Sequence, residues 1–383
     1  MSLNTFSPRS AFLSLKGIQK LSSKSSVIVI GAGAFGGWTA LSLLRAGNKV
    51  TLVDAWGPGN SRSSSGDETR VTRSTYGDNE FYFDLNVRAL ELWKDHEQQW
   101  GKKFFFNTGV LWFCYQEKTS LVDDSIPFAK KHHMEYEYLT EGELKKKFPL
   151  VNTKDIHHAW FDPYGGYLRA RESCEAVKDA FVREGGSFVQ AFVKPGKMQS
   201  GSLQDILLSN GQRFSADAYV FACGSWLGQV FPEVLGNVIT CTKQEVYYFG
   251  VPKGESMKYD SFPVWVDVDG SDFYYGIPGN AQRGFKIGVD RRGEKFDPTL
   301  DERVYNAEVL DHARKFISHR FPGLKDAPLI ESRVCPYENS PDGNFIFETH
   351  PEADNVVFLG GGSGHGFKHG PALGELVAKA MLQ

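Results

Sequence analysis

Residues 27–30 form a β-branched run that passes directly into Gly31-Ala32-Gly33-Ala34-Phe35-Gly36, then into an apolar segment stopping at Gly47-Asn48. A second apolar run over 49–53 ends in Asp54. This order of strand, glycine turn, helix, strand and acidic residue constrains the fold more than any other stretch of the chain. Gly31 permits a tight turn, Gly33 lets backbone amides approach a pyrophosphate, and Gly36 lets the helix lie close on the strand. The helix start offers free N–H groups and a favourable dipole to phosphate. Asp54 is placed to accept hydrogen bonds from an adenosine ribose. The pattern predicts a dinucleotide-binding βαβ unit, and alone it does not separate NAD from FAD.

The remainder of the chain makes that separation. Residues 219–224 read as a buried strand ending in Cys223-Gly224, like the second nucleotide-contacting strand of flavoproteins. Residues 356–366 bring a third glycine-rich turn, for which an NAD dehydrogenase has no obvious use. FAD is therefore the expected cofactor. Helices are predicted over 81–99, 169–184, 301–320 and 371–381, and a strand over 187–193. Asn210-Gly211 predicts a hairpin turn between 205–208 and 213–215. Aromatic strands are predicted over 246–249, 264–268, 273–276 and 285–288. Nucleotide-type elements thus occur at the start, middle and end of the chain. The expected class is α/β with α+β character: a Rossmann-like FAD-binding domain interleaved with a mostly antiparallel β-sheet substrate domain. The first takes residues 26–88, 156–225 and 333–383; the second takes 89–155 and 226–332. Residues 1–25 are expected to be a disordered leader.

Composition excludes several classes. With 43 basic and 46 acidic side chains in 383 residues, the formal charge of −3 argues against a nucleic-acid partner. The five cysteines are widely spaced without a Cys-x-x-Cys, so neither a zinc ribbon nor a disulfide framework is expected, and no metal. The uncharged run 25–44 has the length of a membrane span. It contains four glycines and changes pattern midway, so the expectation is a cytoplasmic protein with no membrane partner. His132-His133, His157-His158 and Lys145-Lys146-Lys147 are expected at the surface. No Gly-x-Ser-x-Gly elbow supports serine hydrolysis.

Four further blocks carry chemistry. Gly66-Asp67-Glu68-Thr69-Arg70-Val71-Thr72-Arg73 places two guanidiniums in a glycine- and serine-rich loop, a strong anion clamp if they converge. Tyr274-Tyr275-Gly276 is followed by Gly284-Phe285-Lys286-Ile287-Gly288, with a lysine among apolar residues where an unpaired ammonium is costly. Arg333-Val334-Cys335-Pro336-Tyr337 carries a cysteine, and Gly360-Gly361-Gly362-Ser363-Gly364-His365-Gly366-Phe367-Lys368 precedes the last helix.

With these blocks at mutually consistent spacing, the chain from about residue 26 to 383 resembles the monomeric sarcosine oxidase and N-methyltryptophan oxidase family. That family lies within the wider D-amino-acid and glycine oxidase flavoproteins. The resemblance implies that Arg70 approaches the flavin ring, Lys286 promotes its reaction with O2, and Tyr275 borders the substrate. It implies that Arg73 and Lys368 bind a substrate carboxylate and that Cys335 bonds covalently to FAD. Gly364, His365, Gly366 and Phe367 would contact the flavin. The chain departs from the pattern by one extra residue in the first block. It departs again at Asp290, where sarcosine oxidases carry a histidine close to the flavin. The implied activity is oxidation of a secondary α-amino acid, N-methylated or cyclic such as pipecolate, by a monomeric enzyme reducing O2 to hydrogen peroxide. Alternatives are a flavin dehydrogenase, an oxidase of a fructosyl or D-amino acid, and a non-catalytic FAD-binding scaffold. The pocket walls are expected to include Trp265, Phe273 and residues near Gly109-Val110.

Overall fold

The β-branched run forms strand Ser26–Ile30 at the centre of a six-stranded sheet. Its side chains alternate between two cores: Val27 and Val29 face one, Ile28 and Ile30 the other. The computed structural model describes residues 20–268, 273–278 and 283–383. Ser26–Ile30 pairs in parallel with Lys49–Asp54 on one side and with Ala218–Phe221 on the other. Ser187–Gln190 and Ala353–Gly360 extend the parallel sheet, and Ile346–His350 closes one edge in the antiparallel sense. Helices Ala34–Arg45, Glu80–Trp100 and Gly370–Leu382 cover one face through Trp38, Leu41, Trp93, Leu373 and Val377.

The second sheet has eight strands, in the order Leu329–Asn339, Thr240–Phe249, Phe285–Val289, Tyr274–Ile277, Val264–Asp267, Val110–Cys114, His158–Asp162 and Glu137–Thr140. It is antiparallel except where Val264–Asp267 runs parallel to Val110–Cys114. Helix Ala307–Arg320 packs on one face, where Ile317 meets Trp265, Phe285 and Ile287. The opposite face points toward the first sheet. The fold class is the expected mixture of α and β built on a parallel nucleotide-binding sheet.

Several local expectations are corrected. The strand over 187–193 is two strands: Ser187–Gln190 in the parallel sheet and Val193–Pro195 in a separate three-stranded sheet. The helix expected from 301 begins at Ala307, because the Asn306 side chain accepts the free amides of Glu308 and Val309 and sets the N-terminus there. Strands His158–Asp162 and Leu329–Asn339 both pair within the eight-stranded sheet, so divisions at 156 and 333 cut through the partner layer. A division at 88 falls inside helix Glu80–Trp100, which packs as one unit on the first sheet. Residues 1–19 of the expected leader lie outside the described residues. Leu21 is buried, and its amide donates to the Met381 carbonyl at 2.9 Å. His158 is buried rather than exposed, stacked on Tyr138, because strand alternation turns it inward. His132 is half-buried against Phe83 and bonded to Asp84 at 2.7 Å. Among the described residues no helix is long and apolar enough to cross a membrane, and no cluster could hold a metal ion.

Candidate active site

The glycine turn is shaped by close approaches. Gly31 has φ +108°, and a Cβ there would sit 2.1 Å from the Ala222 carbonyl oxygen. A Cβ on Gly36 would lie 1.9 Å from the Gly31 oxygen. Gly33 is the N-cap of helix Ala34–Arg45 and has no side chain to fill the space in front of it. Asp54 ends the second strand and ties the turn down: its carboxylate accepts Ala32 N at 2.7 Å, Trp56 N at 2.9 Å and Gly57 N at 2.8 Å. Burial nevertheless raises its pKa above the ordinary carboxylate value.

From this turn a cavity of about 460 Å³ runs between the two sheets. Gly31, Gly33, Asp54, Cys223 and Gly224 line one end. Arg70, Arg73, Tyr275 and Asp290 line the other, and Gly364, His365, Gly366, Phe367 and Lys368 border it from the last glycine turn. Phe273 and Val266 contribute to the wall. Trp265, expected there, faces helix Ala307–Arg320 instead, since adjacent strand residues point to opposite faces. Gly109 and Val110 are likewise absent from the lining.

Three expected residues, Gly36, Lys286 and Cys335, stand behind the cavity wall rather than in it. Lys286 is 1% exposed and ion-paired with Asp67, and its Nζ also donates to the Thr69 carbonyl at 3.0 Å. Asp67 further accepts Arg70 Nη1 and the Tyr248 hydroxyl, each at 2.8 Å. Burial by itself would raise the Asp67 pKa; Lys286 and Arg70 outweigh it and hold the carboxyl far below its usual range. Arg70 connects this cluster to the third block, its Nη2 lying 3.9 Å from Cys335 Sγ. The Cys335 thiol is pushed up by burial and by Asp67, with Arg70 and Lys286 opposing.

Arg73 and Lys368, 295 residues apart in the numbering, do converge. The Arg73 guanidinium lies 4.6 Å from the Tyr76 ring centroid and the Lys368 ammonium 5.0 Å from it. Lys368 Nζ donates to the His365 carbonyl at 2.8 Å. Burial and Arg73 together push the Lys368 pKa well below its ordinary value, and Asp290 partly offsets them. His365 is neutral: burial and Lys368 lower its pKa to about 3. Its Nε2 faces the Gly343 carbonyl at 3.0 Å, an acceptor only, so Nε2 carries the proton and Nδ1 accepts from the Tyr76 hydroxyl at 3.0 Å. Both ring nitrogens are engaged, which leaves no free base.

Sequence reasoning assigned no role to Asp67, Tyr76, Tyr337 or Glu338. Asp67 stands inside the first block, Tyr76 just after it and Tyr337 in the third, which is the signal each carries; Glu338 carries none. Glu338 is buried at the cavity edge, where its Oε1 accepts Gly362 N at 3.3 Å and its Oε2 has no hydrogen-bond partner among the described residues. Burial raises its pKa to about 7.

A parallel sheet with a glycine cradle, facing a second sheet across an elongated cavity that ends in paired cations, defines a dinucleotide-dependent oxidoreductase. The model of the FAD dependent oxidoreductase family (DAO) matches residues 26–380, and the chain belongs to that family. It is 29% identical over 366 residues to a monomeric sarcosine oxidase from Bacillus sp. (strain B-0618), covering 94% of this chain and 93% of the relative. It is 28% identical over 356 residues to N-methyl-L-tryptophan oxidase from Yersinia pestis (strain Pestoides F), covering 92% and 93%. Among solved structures, L-proline dehydrogenase from P. horikoshii superposes with a TM-score of 0.80 at 23% identity, covering 94% and 93%. Amadoriase I, the fructosyl amine:oxygen oxidoreductase of Aspergillus fumigatus, gives 0.77 at 20% identity, covering 96% and 89%. At those identities the structural likeness is one of fold.

The residues present fit FAD. Gly33 lines the cavity at the N-terminus of helix Ala34–Arg45, which suits a pyrophosphate, with the Ser65 hydroxyl beside it accepting the Ala34 amide at 3.2 Å. The unpartnered, buried Glu338 Oε2 suits a hydroxylated chain lying along the cavity.

Proposed function

We propose that this protein is an FAD-dependent amine oxidase acting on a secondary α-amino acid, N-methylated or cyclic, with O2 reduced to hydrogen peroxide. The observation that carries this reading is the convergence of Arg73 and Lys368 beside one aromatic ring at the cavity end. Sarcosine and N-methyl-L-tryptophan, named for the curated relatives, are substrates of this class.

Bound FAD supplies the two-electron acceptor for the carbon next to nitrogen. Gly31, Gly33 and Gly36 would shape its pyrophosphate site, and Asp54 would take the ribose. Cys223 and Gly224 with the 364–367 turn would contact it along the cavity, and Cys335, just behind the wall beside Arg70, would be its covalent attachment point. Arg73 and Lys368 hold the carboxylate of the substrate and neutralise it, so that the amine is oriented by two fixed cations. Tyr275 lines the cavity and lies across Gly288, where a Cβ would come within 2.5 Å of its ring, so the glycine leaves room for the ring to border the substrate. Arg70 is a positive charge in the cavity wall, and a fixed cation there would stabilise negative charge developing on reduced oxygen; Lys286, closed off behind the wall and paired with Asp67, would act only through the Asp67–Arg70 cluster. The imine product hydrolyses in water, to formaldehyde and an amino acid where the group lost is N-methyl. None of the five cysteines is in a disulfide, which fits a reducing compartment. The enzyme works as a monomer, as the name of the sarcosine oxidase relatives states for them.

Anaerobic mixing of the holoenzyme with sarcosine, N-methyltryptophan and pipecolate tests the reading. At least one should bleach the oxidised flavin absorption, and admitting air should restore it with peroxide formed. No bleaching by any secondary amino acid would sink the proposal. Bleaching followed by slow recovery in air would assign a dehydrogenase instead.

A further inference from the structure

Strand Phe285–Val289 sends Phe285, Ile287 and Val289 into the core beneath helix Ala307–Arg320. Alternation turns Lys286, Gly288 and Asp290 to the other side. Lys286 is consumed by Asp67, and Gly288 is covered by the Tyr275 ring. Asp290 remains exposed to the cavity, its backbone pinned by a 2.6 Å bond from its amide to the Phe273 carbonyl. The charged groups acting on it are Arg73, Lys368 and Arg292, and the Tyr337 hydroxyl donates to its carboxylate. The same cavity lining therefore sets the carboxylate of Asp290 among the cations Arg70, Arg73 and Lys368. A histidine, the residue sarcosine oxidases resembling this chain place here, could not supply that negative charge.

A free α-amino acid carries its own charges in a fixed relation, with carboxylate carbon and nitrogen on the same α-carbon. A site complementary to its zwitterion needs an anion next to its cations. On the reading that Arg73 and Lys368 take the substrate carboxylate, we propose that Asp290 is a substrate-binding residue that accepts an N–H of the substrate ammonium. The site then selects a zwitterionic amino acid over a carboxylate of the same shape lacking nitrogen. A charge-assisted bond between ammonium and carboxylate is stronger than any contact a methyl group can make in the same place. The competing role, in which Asp290 only relieves repulsion between Arg73 and Lys368, predicts no such discrimination.

Two probes separate these roles. 2-Aminoisobutyrate is a zwitterion without a hydrogen on its α-carbon or an N-methyl group, so it is not oxidised. Pivalate has the same shape with methyl in place of ammonium. Their dissociation constants are measured on the holoenzyme at pH 7 from the perturbation of flavin absorption. The wild type should bind 2-aminoisobutyrate about tenfold tighter than pivalate or better. In D290N that ratio should fall to near one, with pivalate bound at least as well as before. D290H should behave like D290N, and it gives a second route if either variant folds poorly. An unchanged ratio in the variants, with pivalate still bound, overturns the role of Asp290 and leaves the carboxylate site standing. Failure of both probes to bind the wild type overturns the carboxylate site and this proposal together.

Discussion

The ammonium of Lys286 is paired with the carboxylate of Asp67, and both side chains are closed off from solvent at 1% and 0% exposure. They lie 219 residues apart in the chain, on an inner strand of one sheet and in the loop leading to a separate short strand. Taking both charges out of water is costly, and the pair persists because Asp67 is also bonded to Arg70, Tyr248 and the Glu68 amide. Removing one partner should therefore cost far more than removing both. D67N is expected to lose about 3–5 kcal/mol of stability, the usual penalty for leaving a buried charge unpaired. The double variant D67N/K286M should recover a large part of it in denaturant unfolding. Equal losses in the single and double variants would show that the pair is not coupled.

Tyr76 performs two separable tasks. Its ring lies against Arg73 and Lys368, and its hydroxyl bonds His365 Nδ1 at 3.0 Å and His369 Nε2 at 2.7 Å. Y76F keeps the ring and leaves both histidines short of a partner, so it should cost about 1–3 kcal/mol of stability with little change in substrate KM. Y76A also removes the cation–π contacts, each worth about 0.5–2 kcal/mol. It should raise KM several-fold more than Y76F does. Steady-state kinetics alongside thermal unfolding distinguishes the two.

Glu338 makes stability depend on pH in a predictable direction. Its pKa in the fold is about 7, against 4.5 for a free glutamate. The folded protein therefore binds a proton more tightly than the unfolded chain across that interval. The stability Glu338 contributes is fully present below pH 4.5 and is lost as pH rises through 7. E338Q has no proton to lose, so its Tm relative to wild-type apoprotein should rise between pH 5 and pH 8. A constant Tm difference across that range would contradict the burial of an ionisable carboxyl here.

Cys335 gives the simplest test of the cofactor bond. Acid precipitation of wild type should leave the yellow colour in the pellet, whereas C335S should release it to the supernatant. Release from the wild type would remove the covalent link while leaving FAD binding intact. The thiol lies behind Arg70, whose charge opposes the burial that raises its pKa. Replacing Arg70 with Met should therefore slow attachment of added FAD to apoprotein, followed as acid-stable colour over time.

Much of the nucleotide half was legible because its signals are local. A turn that collides with Ala222 unless residue 31 is glycine announces itself in four or five residues, as does the acidic end of the next strand. The hairpin at Asn210-Gly211 followed equally from two residues, with Gly211 at φ +85° between the paired strands Ile206–Leu208 and Arg213–Phe214. The helix ending at Arg320 was legible too, though its start depended on which side chain reached the free amides.

The other half was decided in three dimensions. The parity of strand Phe285–Val289 was written in the sequence, but which face met the core depended on where helix Ala307–Arg320 docked. Only that docking turned Trp265 away from the cavity and left Asp290 facing it. The partners of Lys286 come from the start of strand Thr69–Thr72 and the segment leading into it, and Arg73, just past that strand, meets Lys368 of the last glycine turn; neither meeting is written in local sequence. Backbone conformation and capping are settled by neighbours in the chain, whereas the pairing of buried charges is settled by whatever else shares the low-dielectric space. The sequence by itself thus determined a dinucleotide cradle and a set of charged candidates. Tertiary packing determined which of them meet, because a buried charge persists only where the fold brings it a partner.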